Sequence, residues 1–541
     1  MAGILDEHDI LNVWGGGQLL AFSGLDGPTD YEGGLCARTD FDGAGLRIVL
    51  PGACDIHISE AAPSACRIAG DWFHLQTPEG RTRGAFLDAH HLLIEGPARV
   101  RSCSREIAVH QDGPRTLVGA AEAFDPQMIS ADLDTAIRAR RRWLESIALP
   151  TGLGPHRRRG LAKALSIMKT QVYEPQGRFR SRWTTPDRWP HRALWLWDSA
   201  FHAIGWRHVD PTLARETIDA VFDAQQPDGR VPHMSTPEAS SAITQPPVLA
   251  LAAALIDEVD PDPSWIEHLY PKLCRYVRWD LDQRDSDGHG LLEWFIEGNP
   301  DCRSGESGMD NSARFDSAQQ LDASDFNAYL AHECEVLADF AHRLNRAQDA
   351  AAWSGEHDRL CGLINERLWN DSHGIYMDCV AATGEQAGVL SVAGFVPLIC
   401  GAPTPEQARR LATHLERGGL FDSPLPVASI SPQQSEYYAK DMWRGPVWVN
   451  LNWLVAYGFA RYGMRDVAAM IREKSLAEIE SRYEQYGAFF EYYDDERSVP
   501  PPRLLRKGCC DPTQLLHHVI HDYGWTATLY ADMALAPAHD S

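Results

Sequence analysis

The stretch "GESGMDNSARFD", residues 305–316, carries three acids, Glu306, Asp310 and Asp316, among glycines and small polar side chains. This composition suits a loop, and a loop carboxylate is free to exchange a proton with a ligand. Met309 and Phe315 interrupt it in a way that a plain solvated linker would not need. A further acid, Glu491, lies in "YGAFFEYYDDERSVPPP" between Phe489-Phe490 and Tyr492-Tyr493. Rings on both sides either fix that carboxylate relative to a substrate and shift its pKa, or form a strand-like run with one acid toward solvent.

The densest chemistry is in "RWPHRALWLWDSAFHAIGWRH", residues 188–208. Trp195 and Trp197 differ by two and cannot share a helical face, so the spacing predicts an extended approach ending at Asp198 and a helix from about Ser199. Asp198 is then either an N-cap or an acceptor for a sugar hydroxyl, with the indoles offering flat faces to the ring. In "PDGRVPHMSTPEASSAITQPPVLALAAALI", Gln245 stands before a Pro-initiated helix, where its amide presents a donor and an acceptor together. His233, in the same stretch, joins the candidate substrate contacts. "AKDMWRGPVWVNLNWLVAYGFA" brings Trp443, Arg444 and Trp448 into an apolar helix; Arg444 either braces neighbouring loops through a carboxylate or contacts a ligand. "DQRDSDGHGLLEW", residues 282–294, has the look of a calcium loop, but that register puts Gln283 and Trp294 where Asp and Glu are needed. It reads as a turn, with no metal ligands. No P-loop, nucleotide fingerprint, HExxH or GxSxG is present.

These loops need elements to hold them. Residues 1–130 alternate apolar and polar residues in short runs broken by Gly, Pro, Asp and Asn, which predicts an antiparallel β-sandwich. "ISADLDTAIRARRRWLESIAL" then predicts an exposed linker helix with an Asp-rich cap over 131–150. From 151 to 541 helical periodicity recurs in twelve segments, near 158–173, 198–208, 212–226, 246–258, 264–283, 322–346, 349–369, 386–398, 404–418, 445–461, 466–484 and 523–535. Several are apolar nearly all round, as the inner ring of a closed double-layered barrel requires. Long loops rich in Trp, Arg, Asp and Gly separate them.

A chain of 541 residues with 44% hydrophobic side chains can bury large cores in two or three domains. Its net charge of -25 disfavours a nucleic-acid partner. The opening "MAGILDEHDILNVWGGGQ" lacks the basic and apolar regions of a signal peptide, and no apolar run is long enough for a membrane span, so a cytoplasmic protein is expected. Twelve dilute cysteines indicate buried thiols, not a disulfide scaffold or a zinc module.

Taken in order, "WLWDSAFHA", "ITQPP", "ESGMDNS", "WRGPVWVNLNW" and "FFEYYDD" resemble the (α/α)6-barrel glycoside hydrolases of family 63, above all their mannosylglycerate and glucosylglycerate hydrolase branch. The family 37 trehalases are a more distant likeness. The resemblance covers about Arg188 to Trp525 and implies a mainly α fold, an (α/α)6 barrel preceded by the β-sandwich. It implies Asp310 as general acid and Glu491 as general base of an inverting exo-α-glycosidase. Trp195, Trp197, Asp198, His233, Gln245, Glu306, Trp443, Arg444, Trp448 and Tyr492 would contact or frame the terminal sugar, α-glucosyl first and α-mannosyl next. No cofactor is implied; the expected partner is a small-molecule carbohydrate, and a homo-oligomer is left open. A glycoside phosphorylase on a similar barrel and a non-catalytic carbohydrate-binding protein are the alternatives. The sequence departs from the family after the base, where residues 496–522 insert three arginines, a lysine and histidines that suit either an acidic leaving group or an exposed basic patch.

Overall fold

In the N-terminal region, β-branched and aromatic residues alternate with polar ones between tight turns, a pattern that buries one face of each strand. The computed structural model describes residues 3–5, 8–10, 13–42, 45–510 and 519–536. It forms the strands β1 (Leu19–Ala21), β2 (Cys36–Asp42), β3 (Gly45–Leu50), β4 (Cys54–Ser59), β5 (Ala65–Ala69), β6 (Trp72–Thr77), β7 (Gly80–Phe86), β8 (His91–Glu95), β9 (Arg99–Cys103), β10 (Ile107–Asp112) and β11 (Arg115–Ala120). Antiparallel pairing orders them β9-β4-β3-β2-β1 in one sheet and β10-β11-β8-β7-β6-β5 in the other. Ile48 and Ile56 from the first sheet meet Phe73, Leu92, Ile94 and Val118 from the second in one apolar cluster, the expected sandwich core. Cys54 and Cys103 form a disulfide across β4 and β9, where the sequence suggested only thiols. Adjacent antiparallel strands bring such residues together without any spacing signal in the chain.

Helix α1 (Leu133–Ser146) starts where its Asp-rich cap predicts: the Asp132 carboxylate accepts the amides of Asp134 and Thr135. There follow α2 (Pro155–Thr170), α3 (Leu196–Trp206), α4 (Pro211–Asp223), α5 (Leu249–Val259), α6 (Pro263–Gln283), α7 (Ser324–Arg343), α8 (Ala347–Leu363), α9 (Pro405–Thr413), α10 (Val449–Arg461), α11 (Arg465–Tyr486) and α12 (Gly524–Leu535). One expected helix, 386–398, is instead a 3-10 stretch, Val392–Leu398, interrupted by Pro397, which has no amide to donate. No helix among the described residues is long and apolar enough to cross a membrane.

Packing divides the chain differently from the expected 1–130, 131–150 and 151–541. One unit comprises Met1–Leu194, Glu478–Glu491 and Ile520–Leu535; the other comprises Trp195–Ala477, Tyr492–Val519 and Ala536–Ser541. In the first, α2 packs on α12 and is tied to the sheets through polar groups. Ser166 Oγ accepts the Gly70 amide at 2.7 Å, and Lys169 Nζ meets Asp71 Oδ2 at 2.6 Å. Asp522 accepts from the Leu19 amide at 2.8 Å and from Lys163 Nζ at 2.7 Å. The second unit holds α3 to α10, with α7 packed on α5, α6 and α8.

Candidate active site

Three residues that begin as equivalent acids acquire different surroundings in the second unit. Glu306 is 0% exposed. Its Oε1 accepts from Arg284 Nε at 2.6 Å and the Phe295 amide at 3.2 Å, and its Oε2 from Arg284 Nη2 at 2.8 Å and the Thr244 amide at 3.1 Å. Both oxygens are committed to joining three segments, so Glu306 braces the site and does not face a substrate. Asp316 accepts a two-pronged pair from Arg444, Nη1 at 2.9 Å and Nη2 at 2.8 Å, and a further contact from Arg303 at 2.7 Å. Arg444 also donates to the Asn311 carbonyl at 3.3 Å, which fits bracing over ligand contact.

Asp310 differs from both. Its side chain is partly exposed and pairs with Lys507 Nζ at 3.2 Å, while its carbonyl accepts the Arg303 amide at 2.7 Å. Lys507 sits at the tip of a turn closed by Arg506 and Cys509 and anchored where the Gly508 amide donates to Asp441 Oδ2 at 2.9 Å. That lysine belongs to the basic insertion, of which residues 511–518, including His517 and His518, lie outside the described residues. His233 lies near enough for the Asp310 charge to raise its pKa, but burial dominates and depresses the imidazole to about 4, so it is neutral at physiological pH. Its Nδ1 lies 2.5 Å from Ser241 Oγ, and Trp195 packs edge-on against its ring at 5.0 Å.

The loop carrying Asp310 has its shape dictated by its neighbours. Gly308 has φ +70°, and a Cβ there would come within 2.4 Å of the Trp197 ring, so the indole lies directly on the backbone two residues before Asp310. Asn311 Oδ1 accepts the Trp443 amide at 3.0 Å. Trp443 stacks on Trp448 at 3.6 Å with planes 3° apart, Trp197 lies 6.1 Å from Trp443, and Tyr492 lies 4.7 Å from Trp448. These rings are nearly fully buried, and the two indoles cover one face of each other, so they form a packed wall and not a row of open platforms.

The start of α3 also differs from expectation. The helix begins at Leu196, not near Ser199, and Asp198 lies in its first turn, buried, instead of capping it. The cap comes from elsewhere: Gln245 Oε1 accepts the Trp197 amide at 3.3 Å, and the His233 carbonyl accepts the Leu196 amide at 3.0 Å. Tyr276 Oη donates to the Gln245 carbonyl at 3.0 Å and lies 2.7 Å from Thr244 Oγ1. A continuous path thus leads from Arg284 through Glu306 and Thr244 to Gln245 and Trp197.

Glu491 belongs to the first unit. It is 2% exposed, its amide donates to the Ile520 carbonyl at 2.9 Å, and its Oε2 accepts the Ile520 amide at 3.4 Å. Trp525 Nε1 reaches its carbonyl at 3.4 Å, Thr526 Oγ1 donates to the preceding carbonyl at 2.8 Å, and Phe490 packs edge-on against His521. The aromatic run is therefore a clamped, buried segment and not a strand with a solvent-facing acid.

Residues 190–526 match the sequence profile of the mannosylglycerate hydrolase MGH1-like glycoside hydrolase domain. The chain belongs to this family. The mannosylglycerate hydrolase of Thermus thermophilus is 31% identical over 397 residues, 58% of this chain and 92% of the relative. The glucosylglycerate hydrolase of Mycolicibacterium hassiacum is 24% identical over 410 residues, 58% of this chain and 89% of the relative. The crystal structure of the family 63 mannosylglycerate hydrolase from Thermus thermophilus in complex with glucose aligns with a TM-score of 0.56 at 28% identity, covering 68% of this chain and 98% of that one. A rhamnosidase from Klebsiella oxytoca, at 14% identity and a TM-score of 0.53 over 95% of this chain, shares the fold. As an MGH1-like member of family 63, the protein is a glycoside hydrolase. The MGH1-like domain includes all the expected site residues, from Trp195 to Tyr492. Within the second unit the structure joins Trp195, Trp197, His233, Gln245, Glu306, Asp310, Trp443, Arg444, Trp448 and Tyr492 through contacts; Glu491 lies in the other unit. Sequence reasoning did not single out Asn311, Arg284 or Tyr276, whose polar contacts come from distant segments; for Lys507 the basic insertion was the signal.

Proposed function

We propose that the protein is an inverting exo-α-glycosidase that removes a terminal α-glucosyl or α-mannosyl residue from a small glycoside, using Asp310 as proton donor and Glu491 as base. The observation that carries the reading is the separation of the three loop acids: Glu306 and Asp316 are held in arginine pairs, whereas the half-buried Asp310 pairs with Lys507 and lies near His233. Asp310 protonates the glycosidic oxygen as the bond to the anomeric carbon breaks, and Glu491 takes a proton from the water that attacks the opposite face. Inversion of this kind requires carboxyls about 6.5 to 9.5 Å apart, leaving room for that water. The neutral His233 is suited to hydrogen-bond a hydroxyl and not to carry charge. The names of the relatives, mannosylglycerate and glucosylglycerate hydrolase, support both the sugar and a small aglycone. We read the helical framework as an (α/α)6 barrel that follows a β-sandwich along the chain.

The test is a panel of α-glucosides and α-mannosides, with glycerate and disaccharide aglycones, followed by NMR of the first anomer released. Inverted product is expected, and a retained anomer would sink the mechanism. Asp310→Asn and Glu491→Gln should each reduce kcat/KM at least about a hundredfold.

A further inference from the structure

The basic insertion reaches the acid loop through one residue. Lys507 and Gly508 form the two-residue loop of a tight hairpin, in which the Arg506 amide donates to the Cys509 carbonyl at 2.9 Å and the Cys509 amide to the Arg506 carbonyl at 3.2 Å. Both loop residues have positive φ, +54° and +78°. Loops of this kind favour Asn-Gly, and a lysine at the first position keeps a left-handed backbone that its Cβ disfavours. Contacts outside the loop hold it there. The Leu505 amide donates to the Lys440 carbonyl at 3.1 Å, the Leu505 carbonyl accepts from the Met442 amide at 3.2 Å and from Tyr492 Oη at 2.6 Å, and Asp441 Oδ2 accepts the Gly508 amide at 2.9 Å. With the backbone fixed at these points, the Lys507 side chain is the part of the turn that can swing.

Its ammonium rests 3.2 Å from Asp310 Oδ2, and the two side chains remain 32% and 26% exposed. Among the described residues, neither has another ionic partner. This contact competes with the task proposed for Asp310. A proton donor turns an oxygen toward the glycosidic bond and carries its proton there, whereas here an ammonium stands beside one of the two oxygens. The acid works from the leaving group's side of that bond, so its cationic partner stands on that side as well. Ion pairs this exposed are weak, and an anion entering beside them can exchange with Asp310 at little cost.

Resting on Asp310 as the acid, we propose that Lys507 is a gate on it, opened by an anionic group carried by the leaving group. Asp310 stands in for that anion while the site is empty. A carboxylate or phosphate on the leaving group draws the ammonium to itself, which holds the leaving group in place and frees Oδ2 to face the glycosidic oxygen. The exchange makes and breaks no covalent bond; it precedes the proton transfer. With a neutral leaving group, Lys507 stays on Asp310 and hydrolysis is slow. The selecting lysine comes from the insertion that departs from the family pattern, and not from the motifs that carry the resemblance.

The experiment uses the full chain and two pairs of glycosides linked through the central hydroxyl: α-glucosylglycerate with α-glucosylglycerol, and their α-mannosyl counterparts. Each pair differs by a carboxylate in place of a hydroxymethyl group. The parent should prefer the glycerate in kcat/KM by about tenfold or more, the effect of one charge-assisted hydrogen bond. Lys507→Asn suits the left-handed backbone and removes the ammonium. It should keep a Tm at or above the parent's, lose about tenfold or more on the glycerate and gain a few-fold on the glycerol. Lys507→Arg, which keeps the charge, should keep the preference. The proposal is overturned if the parent shows no preference, or if Lys507→Asn lowers both substrates equally, as loss of a merely structural residue would. It is overturned too if free acetate or inorganic phosphate accelerates hydrolysis of the glycerol glycoside by the parent, since the anion would then be a separate effector. Full activity of Asp310→Asn, or a parent inactive on all these glycosides, would instead sink the underlying reading and the gate with it.

Discussion

At Gly308 a single hydrogen decides whether the acid-bearing loop can close. The Trp197 ring occupies the place of a side chain, and the positive φ adds strain for any residue with a Cβ. Gly308→Ala is expected to lower stability by about 2 kcal/mol and kcat/KM by roughly tenfold or more, through displacement of Asp310. Urea melts and steady-state kinetics measure the two separately; wild-type values for both would mean that the indole yields easily. The proposal of Asp310 among its neighbours rests on the family motif, since the local sequence shows three acids in similar company. What separates them physically is the placement of Arg284, Arg303 and Arg444, which local spacing does not encode.

At the scale of elements, most helices follow their apolar periodicity, and the exceptions mark contacts made from afar. The α3 boundary moved because Gln245 and His233 satisfy its first amides, so no residue within the segment had to act as cap. A similar device opens α5: Glu333 of α7, 0% exposed, accepts the amides of Ala250 at 2.8 Å and Leu251 at 3.0 Å. Burial raises its carboxyl from 4.5 to about 7, against the lowering effect of those amides. The folded state therefore holds its proton in a window where the unfolded chain has released it. This contribution is full below about pH 4.5, declines as pH rises to about 7, and amounts to roughly 3 kcal/mol. Unfolding free energies of the parent and of Glu333→Gln, compared at about pH 5 and about pH 8, should show a smaller loss in the variant. Equal losses would assign the slope to other groups.

For the whole molecule, the two structural classes were readable from residue patterning, strands before about 130 and helices after. The grouping of elements was not, because it depends on single polar residues on α2 and near the C-terminus. Asp522 illustrates this: 1% exposed, it receives the Leu19 amide, the Phe489 amide at 3.2 Å and the Lys163 ammonium. Asp522→Ala would strand Lys163 as a buried charge and should cost about 3 to 5 kcal/mol. A thermal melt would detect this directly, and an unchanged Tm would show that Lys163 reaches solvent at little cost.

Glu491, proposed as the base, is clamped by Ile520 and Trp525 and counted with the sheets, α2 and α12. Domain exchange between relatives therefore has a non-obvious cut. A chimera joined at Leu194 would separate the β-rich donor from the two C-terminal segments that pack with it. Residues 1–194, 478–491 and 520–535 are best inherited from one parent as a single cassette, although they lie hundreds of residues apart along the chain.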